Sequence, residues 1–427
     1  MPHISRRGLS IPASPIRKLS AAAEEAERMG VLIYKLNIGQ PDLPTPAKAL
    51  EAIGTASNMR TLAYSPSAGT RSLREKFCEY YRRFGIELST DEIIVTAGGS
   101  EALLAIFLTC FDNGDEVIIT EPGYANYIGF ARAAGLSIKP LTSRIEDGFA
   151  LPSAEDFRNA ISPKTKAILI CNPNNPTGYL YSPDELFLLR DIVKEHGLFL
   201  ICDEVYREFV YTGEPYVSAL SLYGIEDNVI VADSVSKRYS ECGTRIGMAV
   251  TRNKEVLDGL MRFCQSRLSP PLLGQIAAEA SIEGTEDYSK ECFDEYKSRR
   301  DFFIERLNSI PGVYSPKPEG AFYTVARLPV EDAEDFCRWC ITDFRYRDKR
   351  TKVERDEDRG IHYTNPLIEV PEEKSDAGET IMMAPAAGFY ETPGLGKNEV
   401  RLAYVLDKTK LARALDILEA ALNEYNS

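Results

Sequence analysis

The middle of this chain repeats one unit: a short apolar run rich in β-branched residues, a polar or glycine-bearing loop, then a helical stretch. IIV at 93 to 95 leads through TAGG into SEALLAIFLTCF, and EVIIT at 116 to 120 leads into EPGYANYIGFARAAG. AILIC at 167 to 171 runs into NPNNPTG, LFLIC at 198 to 202 into DEVYREF, and VIVAD at 229 to 233 into SVSK. Continuous apolar runs alternating with helices predict an α/β fold with a largely parallel sheet covered on both faces. In such sheets the ligand crevice lies beyond the carboxyl ends of the strands. The polar residues that follow each run are therefore expected to converge on one site.

The last hundred or so residues read differently. A helix is expected around DYSKECFDEYKSRRDFFIERL, a turn at PKPEG, a strand at AFYTVARLP, a further helix, a strand near VRLAYVL and a terminal helix at KLARALDILEAALNEY. This pattern predicts a smaller α+β domain. The expected division is an N-terminal segment, 1–45, packing with the small domain; a large domain, 46–300; and the small domain itself, 301–427. RYRDKRTKVERDEDR opens a charged insertion near 345–376, which reads as a solvated loop rather than a functional lid.

Composition narrows the function. The 427 residues carry 50 Lys and Arg against 64 Asp and Glu, a net charge of −14, so a nucleic-acid partner lacks its electrostatic footprint and an anionic membrane would repel the chain. No segment reaches the ~18 uninterrupted apolar residues of a membrane span, and the N-terminus has no apolar core of a secretory signal. A cytoplasmic location is the expectation. Nine scattered cysteines fit reduced thiols better than a disulfide framework. Cys337 and Cys340 form a single CxxC in an expected helix, with no second pair to complete a zinc site, and read as packing. The three histidines, His3, His196 and His362, have neither HExxH spacing nor a GxSxG elbow nearby. Neither a metal site nor histidine-based catalysis is expected.

Several residues could carry chemistry. A lysine at a strand exit is ordinarily a solvated surface residue, but Lys237 has unusual company: Ser234 and Ser236 before it, and Arg245 eight residues after. Hydroxyls, a guanidinium and glycines suit a phosphate dianion, and an amine beside such a site could form a Schiff base with a phosphorylated aldehyde. Gly98 and Gly99 lead into a helix whose first amides point outward at the positive end of its dipole, although a tight turn alone needs no ligand. Two prolines flank Asn175 in a rigid loop directly after a core strand, holding an amide donor where the strands end, although a rigid turn alone needs no ligand. Asp203 closes an apolar strand, where a carboxylate is costly unless a cation approaches it.

In this order and spacing, Tyr64 in YSPSAG, then GGSEAL, NPNNPTG, DEVY, SVSK with Arg245, and the arginine of EVRLAYVL resemble the class I/II pyridoxal-phosphate-dependent aminotransferases of fold type I. The wording is most similar to bacterial aspartate aminotransferase-like enzymes, and the resemblance runs from LNIGQPDLPTP to the terminal helix. It implies a large domain with a mostly parallel seven-stranded sheet between helices, a smaller α+β domain, and pyridoxal 5'-phosphate as cofactor. By that resemblance Lys237 would hold the cofactor and move the substrate proton, and Asp203 would pair with the pyridine nitrogen. Asn175 and Tyr206 would bond the ring oxygen, Asn175 lying close to substrate as well. Gly99, Ser100, Ser234, Ser236 and Arg245 would bind the phosphate, and Tyr124 would stack on the ring. Tyr64 would reach a phosphate in the other subunit of a homodimer. Arg401, aided by the backbone of Gly39, would grip the substrate α-carboxylate.

The implied activity is transfer of the amino group of an L-amino acid, aspartate first, to 2-oxoglutarate by a ping-pong cycle. Two other readings exist. A C–S β-lyase of the same fold keeps the cofactor and changes the chemistry. A non-catalytic regulator with an aminotransferase-like domain needs a basic DNA-binding module ahead of LNIGQPDL, where only about 35 residues stand. Some bacterial aspartate aminotransferases carry a basic residue where Ser100 stands; this chain carries none there.

Overall fold

The β-branched runs form strands at the expected places. The computed structural model describes residues 2–347 and 377–427. In chain order the strands are β1 (Leu32–Lys35), β2 (Ile93–Thr96), β3 (Glu116–Glu121), β4 (Ser137–Thr142), β5 (Thr165–Cys171) and β6 (Phe199–Asp203). There follow β7 (Val229–Ser234), β8 (Gly247–Thr251), β9 (Tyr323–Arg327), β10 (Glu379–Met382), β11 (Ala384–Pro385) and β12 (Glu399–Ala403). Most of the charged insertion, from 348 to 376, lies outside the described residues.

The chain divides into two compact units. The larger comprises 1–12, 43–295 and 318–321. It holds one seven-stranded sheet in the order β2-β8-β7-β6-β5-β3-β4, in which β8 alone runs antiparallel to its neighbours. The central strands are buried on both faces: every residue of β7 is buried, as are all of β5 but Lys166 and all of β6 but Phe199. Such strands need no hydrophobic alternation, which is why they read as continuous apolar runs. Local signals frame the covering helices. Helix Pro183–His196 begins with Ser182 and Glu185 in a reciprocal capping box, has proline at its first position, and stops at Gly197 in the left-handed conformation.

The register aligns the strand ends that matter. Cys171 pairs with Asp203, Asp203 with Ala232, and Ser234 with Gly247, which in turn pairs with Thr96. Four successive loops thus leave the sheet along one edge.

The smaller unit comprises 13–42, 296–317 and 322–427. Antiparallel β11, β12 and β9 form one sheet, and β1 pairs in parallel with β10. Helices Ala333–Thr342 and Lys408–Tyr425 supply apolar faces. Cys337 and Cys340 are buried thiols on the first of them, consistent with packing.

Candidate active site

Helix Gly99–Cys110 starts where β2 ends, and Gly98 caps it with a φ of +84°, a conformation that disfavours a side chain. A Cβ at Gly98 would lie 2.5 Å from Nη2 of Arg245. One at Gly247 would lie 2.4 Å from the Gly98 carbonyl carbon and 2.5 Å from the Gly99 nitrogen. Backbone amide, helix start and guanidinium are therefore in close approach, permitted only because the intervening residues are glycines. Arg245 itself adopts a left-handed φ of +57°, uncommon outside glycine. Its guanidinium is held by the carbonyls of Cys242 (3.1 Å) and Ala97 (3.3 Å).

Across from the same glycines, Cβ of Ser234 would meet a Gly99 side chain at 3.8 Å. Ser234 Oγ accepts the Ser236 N–H at 3.0 Å and lies 2.7 Å from Ser236 Oγ. Both serines are buried, whereas Arg245 is exposed. Ser100 follows as the second residue of its helix. A helix N-terminus, two hydroxyls and an arginine assembled in this way form an anion cradle. Lys237, half-buried in the short helix Val235–Arg238, directs Nζ to the Cys242 thiol at 3.7 Å.

One and two strands along, the chemistry changes. Asp203 is 4% exposed, and burial pushes its pKa up to about 6. Hydrogen bonds from the Tyr127 hydroxyl (2.7 Å) and the Val205 N–H (3.4 Å) favour its ionised form, the nearby Asp233 opposes it, and Lys237 again favours it. On β5's loop, Asn175 Nδ2 donates to the Tyr206 hydroxyl at 3.2 Å. The asparagine before it braces that loop, donating to Thr177 Oγ1 at 2.9 Å and to the Pro122 carbonyl at 3.3 Å. Tyr124 is half-buried, packs edge-on to Tyr127 with ring centres 5.3 Å apart, and accepts a hydrogen bond from Asn126. Tyr64 is 79% exposed.

In the smaller unit, Arg401 is 1% exposed on β12 and donates to the Asn37 carbonyl. Its guanidinium lies 4.7 Å from the ring centre of Tyr323 and 5.2 Å from that of Phe389. Tyr323 also donates to the Gly39 carbonyl at 3.1 Å, and a Cβ at Gly39 would fall 1.7 Å from the Tyr323 hydroxyl oxygen. The residues expected to recognise a carboxylate are thus packed around one tyrosine.

These groups fit pyridoxal phosphate. The cradle accepts a phosphate dianion, and a buried carboxylate with a raised pKa gains from a protonated ring nitrogen beside it. The Asn175–Tyr206 pair offers polar hydrogens for a ring oxygen.

The family model for aminotransferases of class I and II matches residues 33–348. This chain is a class I/II aminotransferase. It is 33% identical over 327 residues to the aspartate/prephenate aminotransferase of Thermus thermophilus, covering 75% of this chain and 83% of that one. The solved structure of Thermus thermophilus aspartate aminotransferase with maleate superposes with a TM-score of 0.82 at 28% identity, over 99% of this chain and 100% of that one. Alanine aminotransferase from Pyrococcus furiosus gives a TM-score of 0.83 at 30% identity, again over 99% and 100%. Membership makes this aminotransferase a pyridoxal-phosphate enzyme of fold type I, as its residues suggested. Among the described residues no helix is long and apolar enough to cross a membrane.

Sequence reasoning missed Tyr127. Its only signal was a second tyrosine three residues after Tyr124, the spacing of neighbours on one helix face. It also missed Gly247 and the buried arginines Arg207 and Arg238, which nothing in the letters distinguishes from surface charges.

Proposed function

We propose that this aminotransferase takes its amino group from aspartate and delivers it to 2-oxoglutarate in two successive half-reactions. The observation that carries the site assignment is the alignment of Asp203, Ser234 and Gly247 along one sheet edge, bringing a buried carboxylate into line with an anion cradle. The relatives named as aspartate aminotransferases support the choice of donor.

Bound pyridoxal phosphate supplies the electron sink and the temporary carrier of nitrogen. Gly99, Ser100, Ser234, Ser236 and Arg245 would hold its phosphate, and Tyr124 would stack on its ring. Asp203, helped by Tyr127, would pair with the ring nitrogen, and Asn175 and Tyr206 would donate to the ring oxygen. Lys237 would hold the cofactor and move the proton at the substrate α-carbon. Arg401 takes the α-carboxylate in a planar fork, with Gly39 contributing backbone, and Asn175 bonds the substrate from its own side. Holding both ends of the amino acid fixes which bond at the α-carbon breaks.

The enzyme acts as a cytoplasmic homodimer in this proposal. Thiol state agrees with a reducing compartment, all nine cysteines being thiols. Tyr64 and the side chains of Met59, Leu62, Leu268 and Leu273 are all exposed in the single chain, which supports a partner covering this part of the larger unit.

The deciding experiment is the visible spectrum of the purified protein with pyridoxal phosphate, followed as aspartate, alanine, aromatic, branched-chain and sulfur amino acids are added singly. Loss of the cofactor's visible band with one amino acid, and its return with 2-oxoglutarate, names the donor and the acceptor. A band that returns unaided while pyruvate and ammonia accumulate makes the protein a lyase instead.

A further inference from the structure

Ser234, Ser236 and Lys237 lie on one short arc of chain whose two ends are tied together. Asp233 is the penultimate residue of β7, and Arg238 ends the turn of helix that follows. One guanidinium nitrogen of Arg238 donates to both carboxylate oxygens of Asp233. Both residues are buried, Arg238 at 2% exposure and Asp233 at 0%. The Ser234 N–H donates to Asp233 Oδ1 at 2.6 Å and the Tyr81 hydroxyl to Oδ2 at 3.0 Å. The guanidinium also sits 4.2 Å from the ring centre of Tyr80, whose hydroxyl donates to Glu208.

The neighbouring strand repeats the construction. After Asp203, buried Glu204 and Arg207 bracket Val205 and Tyr206, with 3.5 Å between their charged atoms. Glu204 accepts from Ser218 Oγ and from the Ala219 N–H at 2.8 Å. Arg207 lies 4.7 Å from the ring centre of Tyr81 and 5.5 Å from that of Tyr80, so both ion pairs share the same two tyrosines.

Buried ion pairs contribute little net stability, because desolvating two charges offsets their attraction; their best-attested use is to select one arrangement. A single turn of helix cannot hold itself in place. We infer that the Asp233–Arg238 pair is a clamp that sets where the Lys237 amine and the Ser234 and Ser236 hydroxyls stand, and so governs the affinity for a phosphorylated aldehyde. Both are positioning residues, acting through their chain neighbours, and the inference rests on the roles proposed above for those neighbours.

Two variants test it. Arg238→Lys keeps the charge but loses the planar fork, and Tyr81→Phe removes only the hydroxyl that reaches Asp233. Melting of the cofactor-free proteins reports the fold. Equilibrium dialysis reports binding of pyridoxal phosphate and, separately, of inorganic phosphate. The pH at which the bound cofactor's visible band changes reports the surroundings of Lys237. Arg238→Lys is expected to fold and to lose about 10- to 100-fold in pyridoxal phosphate affinity, by analogy with residues that orient the ligands of metal sites. Tyr81→Phe loses less, inorganic phosphate binds more weakly to both, and the pH of the spectral change moves. Unchanged affinity and an unmoved spectral change in folded Arg238→Lys overturn the clamp. So does an affinity loss that merely follows the unfolded fraction, since the pair is then structural only. Mass spectrometry after borohydride reduction of the unaltered enzyme checks that Lys237 carries the cofactor. A label on another residue removes that assignment and the clamp with it, a result distinct from failure of the variants.

Discussion

Tyr127 and Asp203, 76 residues apart in the chain, share a 2.7 Å hydrogen bond in which the phenol donates to the carboxylate. Burial has raised the pKa of Asp203 to about 6, and this bond works against the rise. Removing the donor in Tyr127→Phe therefore raises it further and leaves less carboxylate at neutral pH. In the cofactor-free protein the pH below which pyridoxal phosphate binds weakly is expected to move up by on the order of one pH unit. Equilibrium dialysis across pH reads the shift, and an unmoved midpoint argues against a working role for the bond.

The tyrosine that packs around Arg401 makes a second case. Gly39→Ala would place a methyl 1.7 Å from the Tyr323 hydroxyl oxygen, so the ring must leave its place over the guanidinium. Tyr323→Phe loses only the hydrogen bond to the Gly39 carbonyl. One such bond is worth about 0.5–1.5 kcal/mol, up to roughly tenfold in KM for the amino acid. A larger rise is expected for Gly39→Ala, with cofactor affinity unchanged in both, as steady-state kinetics and dialysis would measure.

Gly247 faces the cradle by its backbone. Any side chain there collides with Gly98 and Gly99, so Gly247→Ala is expected to push that loop outward and weaken binding of pyridoxal phosphate and of inorganic phosphate alike. Titration of the cofactor-free protein with phosphate separates this effect from chemistry at Lys237. Equal phosphate affinity in the variant would count against the cradle.

Glu241 lies in the loop between Lys237 and Arg245, 2% exposed, and burial pushes its pKa from an ordinary 4.5 up to about 7. Hydrogen bonds from Ser281 and Thr244 only partly offset that burial. The folded protein keeps this proton to higher pH than the unfolded chain, so folding takes up a proton and stability falls as pH rises through 4.5 to about 7. Each tenfold in proton affinity is about 1.4 kcal/mol, making the loss on the order of a few kcal/mol. Thermal melts of the cofactor-free protein between pH 5 and 8, as a range of about three units, should show a fall that Glu241→Gln reduces.

The strands were legible because burial on both faces leaves its mark in consecutive letters. AILIC and VIVAD need no knowledge of their neighbours to read as core strands, and they form β5 and β7. Asp203, Ser234 and Lys237 were legible for a related reason, being polar residues where an apolar run stops. The ordered motifs around them carried the family, which the match over residues 33–348 bears out.

Long-range pairing left no such mark. Tyr127 reads as one more helix residue until folding brings it to Asp203. Gly247 reads as an ordinary strand glycine until β8, the one antiparallel strand of its sheet, sets it against Gly98. Arg238 reads as a surface charge until Asp233 and Tyr80 enclose it. Periodicity and local punctuation are properties of adjacent residues and survive in the linear order. The partner of a buried carboxylate, the close approach of two backbones and the enclosure of a guanidinium depend on which distant segments the sheet brings side by side, and packing alone determines those.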